Sequence, residues 1–332
     1  MSFKIELKTS GHCFETIGEE SILEAGFRSG INLAYSCLSG SCGDCRAKVI
    51  SGDVEKNGHY DFALTEAEKL QNTILLCRNK AKSDCIIDAV EARNATDIPE
   101  QSIQVKVAKI ENITEDYINL QLRTPRTKVL RFLAGQQIQV SVKGIESYTS
   151  GIASCPCNGM ILQMHLYKND THPFVQYVVQ QMAVGESLTI QGPVGNLTLE
   201  EDSSRPIVMI AVDTAFASMK SIIEHAIALD LQQAIHLYWI VTKRHQHYHD
   251  NYCRSWELAL ETFVYQPLNV ESEESDMGRV IDAIIARSPI ETEIDLYLSG
   301  PKYFTNIAHD KFVQHGTPLQ RIFEENSDNI IA

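Results

Sequence analysis

The chain has no apolar run approaching the roughly 18 residues that a membrane-crossing helix needs, and no membrane span is expected. Basic residues are scarce: 29 Lys and Arg stand against 43 Asp and Glu, a net charge of −14. That balance excludes nucleic-acid binding as a general function. The imbalance is uneven, because residues 1–90 hold 13 acidic and 10 basic side chains, net −3, which leaves −11 for the remainder. The N-terminal third therefore lacks a strongly acidic face. Met1-Ser2-Phe3-Lys4-Ile5 runs directly into an alternating strand pattern, with no apolar core of a secretory signal. Internal repeats and low-complexity tracts are also missing. At 332 residues there is enough chain for two or three domains, each with its own core.

Cysteine is the residue the chain does have, nine times. Cys37, Cys42 and Cys45 stand in the spacing C-x4-C-x2-C, and Cys77 follows after 31 intervening residues. This is the ligand spacing of a plant-type [2Fe–2S] cluster, three thiolates from one wrapping loop and one from a distant segment. Gly40 and Gly43 lie between the loop ligands, where the backbone must turn tightly and approach the inorganic sulfides. Zinc usually takes short paired motifs, not a triple with one remote partner. Of the other cysteines, Cys13, Cys85 and Cys253 read as buried small side chains. Cys155-Pro156-Cys157 is too short for a C-x-x-C redox pair and reads as structural. With no disulfide framework evident, a reducing cytoplasm is the expected location.

The run Tyr35-Ser36-Cys37-Leu38-Ser39-Gly40-Ser41-Cys42-Gly43-Asp44-Cys45, with Gly52 and Leu76-Cys77-Arg78, resembles the plant-type ferredoxin domain. The remainder resembles the flavin and nicotinamide domains of the ferredoxin–NADP reductase superfamily. The whole is similar to the fused reductase components that serve oxygenases and deoxysugar enzymes. The resemblance implies an α+β and α/β multidomain chain. A β-grasp ferredoxin domain would occupy residues 1–91, a linker 92–101, an antiparallel β-barrel of the flavin type 102–203, and a parallel α/β nucleotide-fold domain 204–332. It also implies electron transfer to a redox protein partner, such as an oxygenase or another iron enzyme.

The local patterns agree with that order. Residues 3–7 and 13–17 read as a hairpin turning at Gly11, and residues 20–29 as a helix capped by Ser21. A strand is expected near Arg46–Ile50, a helix from Thr65 with Glu66 and Glu68 in its first turn, and a closing strand over 85–90. Ala92–Gln101, with Asn94 and Pro99 and little hydrophobicity, reads as the linker. Five alternating strands then follow at 104–109, 117–122, 137–142, 160–167 and 187–191, with one helix over Pro173–Met182. From Pro206 the chain alternates strand and helix: strands at 207–211, 235–241, 263–267 and 295–298, helices at 216–228, 251–261, 278–287 and 304–314. The most acidic stretch, Glu271 to Asp276, reads as a solvated loop.

The scaffold motifs of the superfamily are kept, but the cofactor contacts depart from it. Phe132-Leu133-Ala134-Gly135-Gln136 and Gly192-Pro193-Val194-Gly195 match the barrel frame. The family's Arg-x-Tyr-Ser stretch, whose arginine pairs with the flavin pyrophosphate, is here Glu146-Ser147-Tyr148-Thr149-Ser150-Gly151-Ile152-Ala153-Ser154. Aligned on Tyr148-Thr149 it puts Glu146 at the arginine position. Aligned on Ile152-Ala153-Ser154 it puts Tyr148 there. Neither supplies the cation, and a carboxylate beside a diphosphate is repulsive. On the first alignment the resemblance implies Tyr148 and Thr149 as flavin contacts, with FAD the candidate flavin. The second phosphate element is Thr171-His172-Pro173-Phe174-Val175, where Pro173 removes a donor and Val175 has no hydroxyl.

In the nicotinamide half, Val212-Asp213-Thr214-Ala215-Phe216-Ala217-Ser218 replaces Gly-Gly-Thr-Gly-Phe-Ala-Pro. Bulk and negative charge thus stand where phosphates approach backbone. Thr214 is the candidate nicotinamide contact, and Ser299-Gly300-Pro301 replaces the family's Cys-Gly-Pro, so NAD(P)H binding is disfavoured. Lys243-Arg244 reads as solvated surface. His245, His247 and His249 have the composition of a metal site if extended, but no convincing fourth ligand, and read as exposed histidines. No catalytic residue is assigned. Two readings remain open: an NAD(P)H-dependent flavin and iron–sulfur reductase, or a cluster-bearing carrier whose reductase domains persist as a docking scaffold without nucleotide cofactors.

Overall fold

The computed structural model describes residues 2–57, 63–271, 276–287 and 293–327. The N-terminal part is a five-stranded sheet in the order β2-β1-β7-β3-β5, with a two-stranded ribbon β4-β6 beside it. Its strands are β1 (Ser2–Leu7), β2 (Cys13–Ile17), β3 (Arg46–Ser51), β4 (Val54–Lys56), β5 (Thr73–Leu75), β6 (Asn79–Ala81) and β7 (Cys85–Ala89). β1 alternates Ile5 and Leu7 inward with polar residues outward, the period-2 pattern of a sheet with one buried face. Helix α1 (Ile22–Arg28) starts at a capping box in which Ser21 accepts from the Glu24 N–H and the Glu24 carboxylate reaches back. Helix α2 (Glu66–Leu70) uses the same device with Thr65 and Glu68. The expected hairpin, both helices and the closing strand are thus all present.

The middle part is an antiparallel sheet in the order β11-β10-β13-β8-β9-β12. It is built from β8 (Gln101–Asn112), β9 (Tyr117–Arg123), β10 (Gln137–Ser141), β11 (Tyr148–Gly151), β12 (Ile161–Tyr167) and β13 (Ser187–Val194). Ala153 N–H donates to Gln163 O at 2.8 Å, drawing the chain after β11 toward β12 and curling the sheet toward closure. Helix α3 (Pro173–Gln180) packs Phe174, Val175 and Val178 into this core. β11 was not expected. It is four residues long, ends in glycine and follows a polar turn, so it carries little strand signal of its own.

The C-terminal part is a five-stranded sheet, β16-β15-β14-β17-β18, parallel at every pairing. Its strands are β14 (Ile207–Val212), β15 (Ile235–Thr242), β16 (Phe263–Val270), β17 (Asp295–Gly300) and β18 (Ile322–Asn326). Helices α4 (Phe216–Ala228), α5 (Asp250–Ala259), α6 (Met277–Arg287) and α7 (Lys302–Gln314) alternate with them. Every residue of β14 and β17 is buried, as helices on both faces require. β18 is the second unexpected strand. Its burial pattern is weak, and pairing with β17 creates it.

The segment read as a linker is held against its neighbours. Ala92 N–H donates to Asn32 O at 2.9 Å, Arg93 pairs with Asp202, and Ala92 and Ile98 bury against Leu133. Cys13 corrects an expectation. It is exposed, because it opens edge strand β2 with its side chain outward, whereas Cys85 and Cys253 are buried as anticipated. Cys155 and Cys157, read as structural, are joined as a disulfide. Of the acidic loop, residues 272–275 lie outside the described residues.

Candidate functional site

The ferredoxin-type loop runs from the end of α1 to β3 and places its sulfurs by backbone geometry. Gly40 and Gly43 take φ of 79° and 83°, the left-handed region that a side chain disfavours. A Cβ on Gly43 would also meet the Arg46 guanidinium at 2.4 Å, a side-chain end that could move aside, so the left-handed φ is what favours glycine there. The turns aim backbone N–H groups at sulfur: Cys42 N–H lies 3.3 Å from Cys37 Sγ, Cys37 N–H 3.4 Å from Cys42 Sγ, and Asp44 N–H 3.4 Å from Cys42 Sγ. From the short turn after β5, Cys77 brings its Sγ to 3.3 Å from Cys45 Sγ. Arg78 donates twice to Ser39 O, at 2.9 and 2.6 Å, tying this remote segment to the loop.

Cys37, Cys45 and Cys77 are buried and Cys42 is exposed, so the group has one solvent-facing edge. Burial pushes the Cys37 thiol up, but hydrogen bonds from Ser41, Cys42 and Ser39 outweigh it and bring it down to about 5. The Cys77 hydrogen bond holds Cys45 below the usual thiol range, and the same contact with burial holds Cys77 above it. Cys37 and Cys42 under backbone donors, and Cys45 in contact with Cys77, fit the two ligand pairs of a [2Fe–2S] cluster, whose thiolates are stabilised by such donors. When bound, the cluster supplies a centre that takes up or gives up one electron.

The loop is fastened to the middle sheet. Val129 N–H donates to Ser36 O at 3.0 Å and Leu38 N–H to Arg126 O at 3.3 Å. Tyr35 packs against Gly159, where a Cβ would sit 2.6 Å from its hydroxyl.

The expected flavin contacts are placed differently. Tyr148 is only 2% exposed, inside the core of the middle sheet, with its ring stacked 5.4 Å from Phe174 and edge-on to His172 at 5.0 Å. Thr149 is half-buried beside it, and Glu146 is exposed. The α3 N-terminus, which could hold phosphate through free N–H groups, is capped from within. His172 Nδ1 accepts from Phe174 N–H at 3.2 Å, the Asp170 carboxylate accepts from His172 N–H at 2.8 Å, and Pro173 has no donor. Burial raises the Asp170 carboxyl, an acid standing where a phosphate would be received.

Between the middle and C-terminal sheets the seam is closed by direct packing. A Cβ on Gly151 would lie 2.3 Å from Ser218 Oγ, so β11 touches the start of α4 with nothing between. Ser221 Oγ donates to Ser154 O at 2.8 Å, and Lys220 Nζ to Ala153 O at 3.0 Å and Glu224 at 2.6 Å. Tyr117, Tyr248, Trp239 and Phe216 stack through the adjoining space, with Phe216 and Trp239 centroids 3.9 Å apart. Asp213 keeps a left-handed backbone (φ 52°), as a glycine would, but turns its carboxylate onto Thr242 N–H (2.8 Å) and Thr242 Oγ1 (2.9 Å). Val212 and Phe304 crowd Gly300, where a Cβ would meet them at 3.0 and 2.7 Å.

Thr214 is buried and its hydroxyl has no partner among the described residues; Ser299 Oγ is in the same condition. Glu325, opposite Ser299 on β18, accepts from Ser218 Oγ at 2.8 Å. Burial raises its carboxyl to about 8, against the pull of the Ser218 hydrogen bond. The polar atoms of a ligand site survive here, but the opening does not. The residues present do not fit a flavin or a dinucleotide.

The three histidines do not converge. His245 Nδ1 pairs with Tyr117 Oη at 2.7 Å, His247 Nε2 with Trp239 O at 2.8 Å, and His249 packs on His165 and Tyr248. All three are half-buried, correcting the expectation of exposed side chains. The loop folds back onto the aromatic block, and desolvation lowers each imidazole, His245 and His249 to about 4. Lys243 and Arg244 are exposed as expected.

Residues 5–82 match the model of a 2Fe-2S iron-sulfur cluster binding domain, 104–199 an oxidoreductase FAD-binding domain and 209–310 an oxidoreductase NAD-binding domain. The chain is 31% identical over 329 residues to the CDP-6-deoxy-L-threo-D-glycero-4-hexulose-3-dehydrase reductase of Yersinia pestis, covering 98% of each. The chain belongs to the family of fused [2Fe–2S] ferredoxin-reductase-type proteins. Another relative in this family is the reductase component of propane 2-monooxygenase from Rhodococcus jostii, 26% identical over 320 residues, 92% of this chain and 86% of that one. The family fold recurs in the Amycolatopsis cytochrome P450 reductase GcoB, with a TM-score of 0.60 at 20% identity and 98% of both chains covered. Sequence reasoning missed the part played by Ser218, Glu325 and Gly151 in closing the seam. The glycine after Ser150, with serine in place of the family's proline at 218, was the available signal.

Proposed function

We propose that this chain is a [2Fe–2S] electron carrier of the ferredoxin-reductase type that passes single electrons to a protein partner, and that its two reductase-type domains act as a scaffold without flavin or NAD(P)H. Cys37, Cys42, Cys45 and Cys77 are the cluster ligands in this reading, and their convergence is the observation that carries it. The scaffold half rests on the closed contact of Gly151 with Ser218 and on the buried Tyr148. Tyr148, Thr149 and Thr214 then serve packing, not cofactor contact. The relatives named as a hexulose-3-dehydrase reductase and as the reductase component of a monooxygenase support an oxygenase or a dehydrase as the class of acceptor. The ferredoxin unit spans 1–91, the connection 92–101, the barrel 102–203 and the parallel α/β unit 204–332. No helix among the described residues is long and apolar enough to cross a membrane, and we place the protein in the cytoplasm.

The test is the cofactor content of anaerobically purified protein. About two irons and two sulfides per chain are expected, with no flavin retained even after incubation with excess FAD or FMN. Stoichiometric flavin would overturn the scaffold reading and restore an NAD(P)H-fed reductase. Absence of iron and sulfide after anaerobic reconstitution would overturn the carrier itself.

A further inference from the structure

Away from the cluster, at the end of the closed seam, one group of side chains has the chemistry of a second metal centre. Cys155 and Cys157 follow β11, and His225 lies on α4, 1% exposed. His225 Nδ1 stands 3.8 Å from Cys155 Sγ and 4.0 Å from Cys157 Sγ. Its other nitrogen, Nε2, lies 2.8 Å from the Glu201 carboxylate. That carboxylate receives the Nε2 proton, so the Nδ1 lone pair faces the two sulfurs. A carboxylate holding the far nitrogen of a metal-binding histidine is the usual outer support of such sites. Around tetrahedral zinc, with bonds of about 2.3 Å to sulfur and 2.0–2.1 Å to nitrogen, the S···N separation is about 3.6 Å. Each sulfur, taken with the nitrogen, is within a few tenths of that value; the two sulfurs, bonded to each other here, part on reduction to the roughly 3.8 Å that two thiolates on zinc require. Beside Cys157 lies a cavity of about 10 Å3, lined also by Phe27, Tyr35 and Arg131, about the room that one water needs.

We propose that the reduced Cys155–Cys157 pair and His225 bind one thiophilic divalent cation, zinc by ligand class, with water completing the fourth position. The disulfide is the metal-free, oxidised form of the site. A thiol reductant opens it: two external thiols become one external disulfide while Cys155 and Cys157 become two thiols. Zinc then displaces one proton from each. The site joins all three parts of the molecule. The cysteines belong to the middle sheet's connection, His225 to α4, and Gly30 follows the end of α1, where a Cβ would be 3.5 Å from the His225 ring. The cation replaces, at a different place, the cross-domain hold that a bound flavin would give.

The test uses the holoprotein, reduced anaerobically with a phosphine, loaded with zinc chloride and desalted, with zinc and iron measured together by mass spectrometry. The proposal expects about one zinc per chain with iron unchanged, loss of that zinc in C155S/C157S at wild-type iron, and full retention in C13S. Wild-type protein that takes up no zinc, or a double variant that keeps it, overturns the proposal. If the double variant does not fold, the zinc X-ray absorption edge of the loaded wild type decides. Two sulfurs and a nitrogen in the first shell support the site, and an all-oxygen-and-nitrogen or four-sulfur shell overturns it.

Discussion

Replacing Glu325 with Gln tests the closed seam at a buried carboxyl group. In the folded chain this carboxyl titrates near 8, against an ordinary value of 4.5, because burial strips its solvent and one oxygen, Oε1, accepts no hydrogen bond among the described residues. The folded state therefore holds a proton that the unfolded state has released across that interval. This group's contribution to stability is greatest below pH 4.5, falls as pH rises, and levels off above about 8. At about 1.4 kcal/mol per pH unit, the full loss attributable to this one group is at most about 5 kcal/mol. Glu325→Gln has nearly the same shape, can still accept from Ser218, and cannot ionise. Melting temperatures of both proteins between pH 5.5 and 8.5, by scanning fluorimetry on the holoprotein, give the readout. The variant should melt near the wild type at the acid end and progressively above it toward pH 8.5. Parallel curves for the two proteins would refute the claim that the seam excludes water from Glu325.

Three further outcomes follow from geometry already described. Cys42→Ser should abolish the visible absorption of the cluster, and an unchanged spectrum would remove Cys42 from the ligand set. Gly151→Ala pushes a methyl into Ser218 Oγ; an overpacked core costs about 1–3 kcal/mol, seen as a lower melting temperature and faster proteolysis between barrel and α/β domain. Tyr148→Ala should destabilise by about 3–5 kcal/mol, the cost of emptying an aromatic core position, and should leave the measured flavin content unaltered at zero; a flavin-loaded wild type that loses flavin in this variant would contradict the packing role.

How much of this was legible in the sequence depends on how local each signal is. The cluster loop was readable because its chemistry needs four thiols and two bare glycines at fixed spacing, and the capping boxes at Ser21 and Thr65 sit within four residues of their helices. The alternating and parallel strands were readable from period and burial. β11 and β18 were not, since each has little pattern of its own and is held by pairing with another strand, Gly151 opposite Gln137 and Glu325 opposite Ser299. The sequence showed that phosphate-contacting residues were missing. It could not show what took their place, because that depended on α4 meeting β11 and on the loop of His245, His247 and His249 folding onto Tyr117, Trp239 and His165.

Of the four cluster cysteines, only Cys42 reaches solvent. A carrier with a flavin beside its cluster has two doors, one where hydride is received and one where electrons leave, and both partners can be bound together. With the seam shut, the proposed carrier has a single door. Donor and acceptor must then use the same small rim in turn, the loaded protein leaving one before meeting the other. Its throughput would be set by the pace of that exchange. Excess oxidised donor would slow the acceptor as a competitor does, a kinetic signature that no two-door reductase shares.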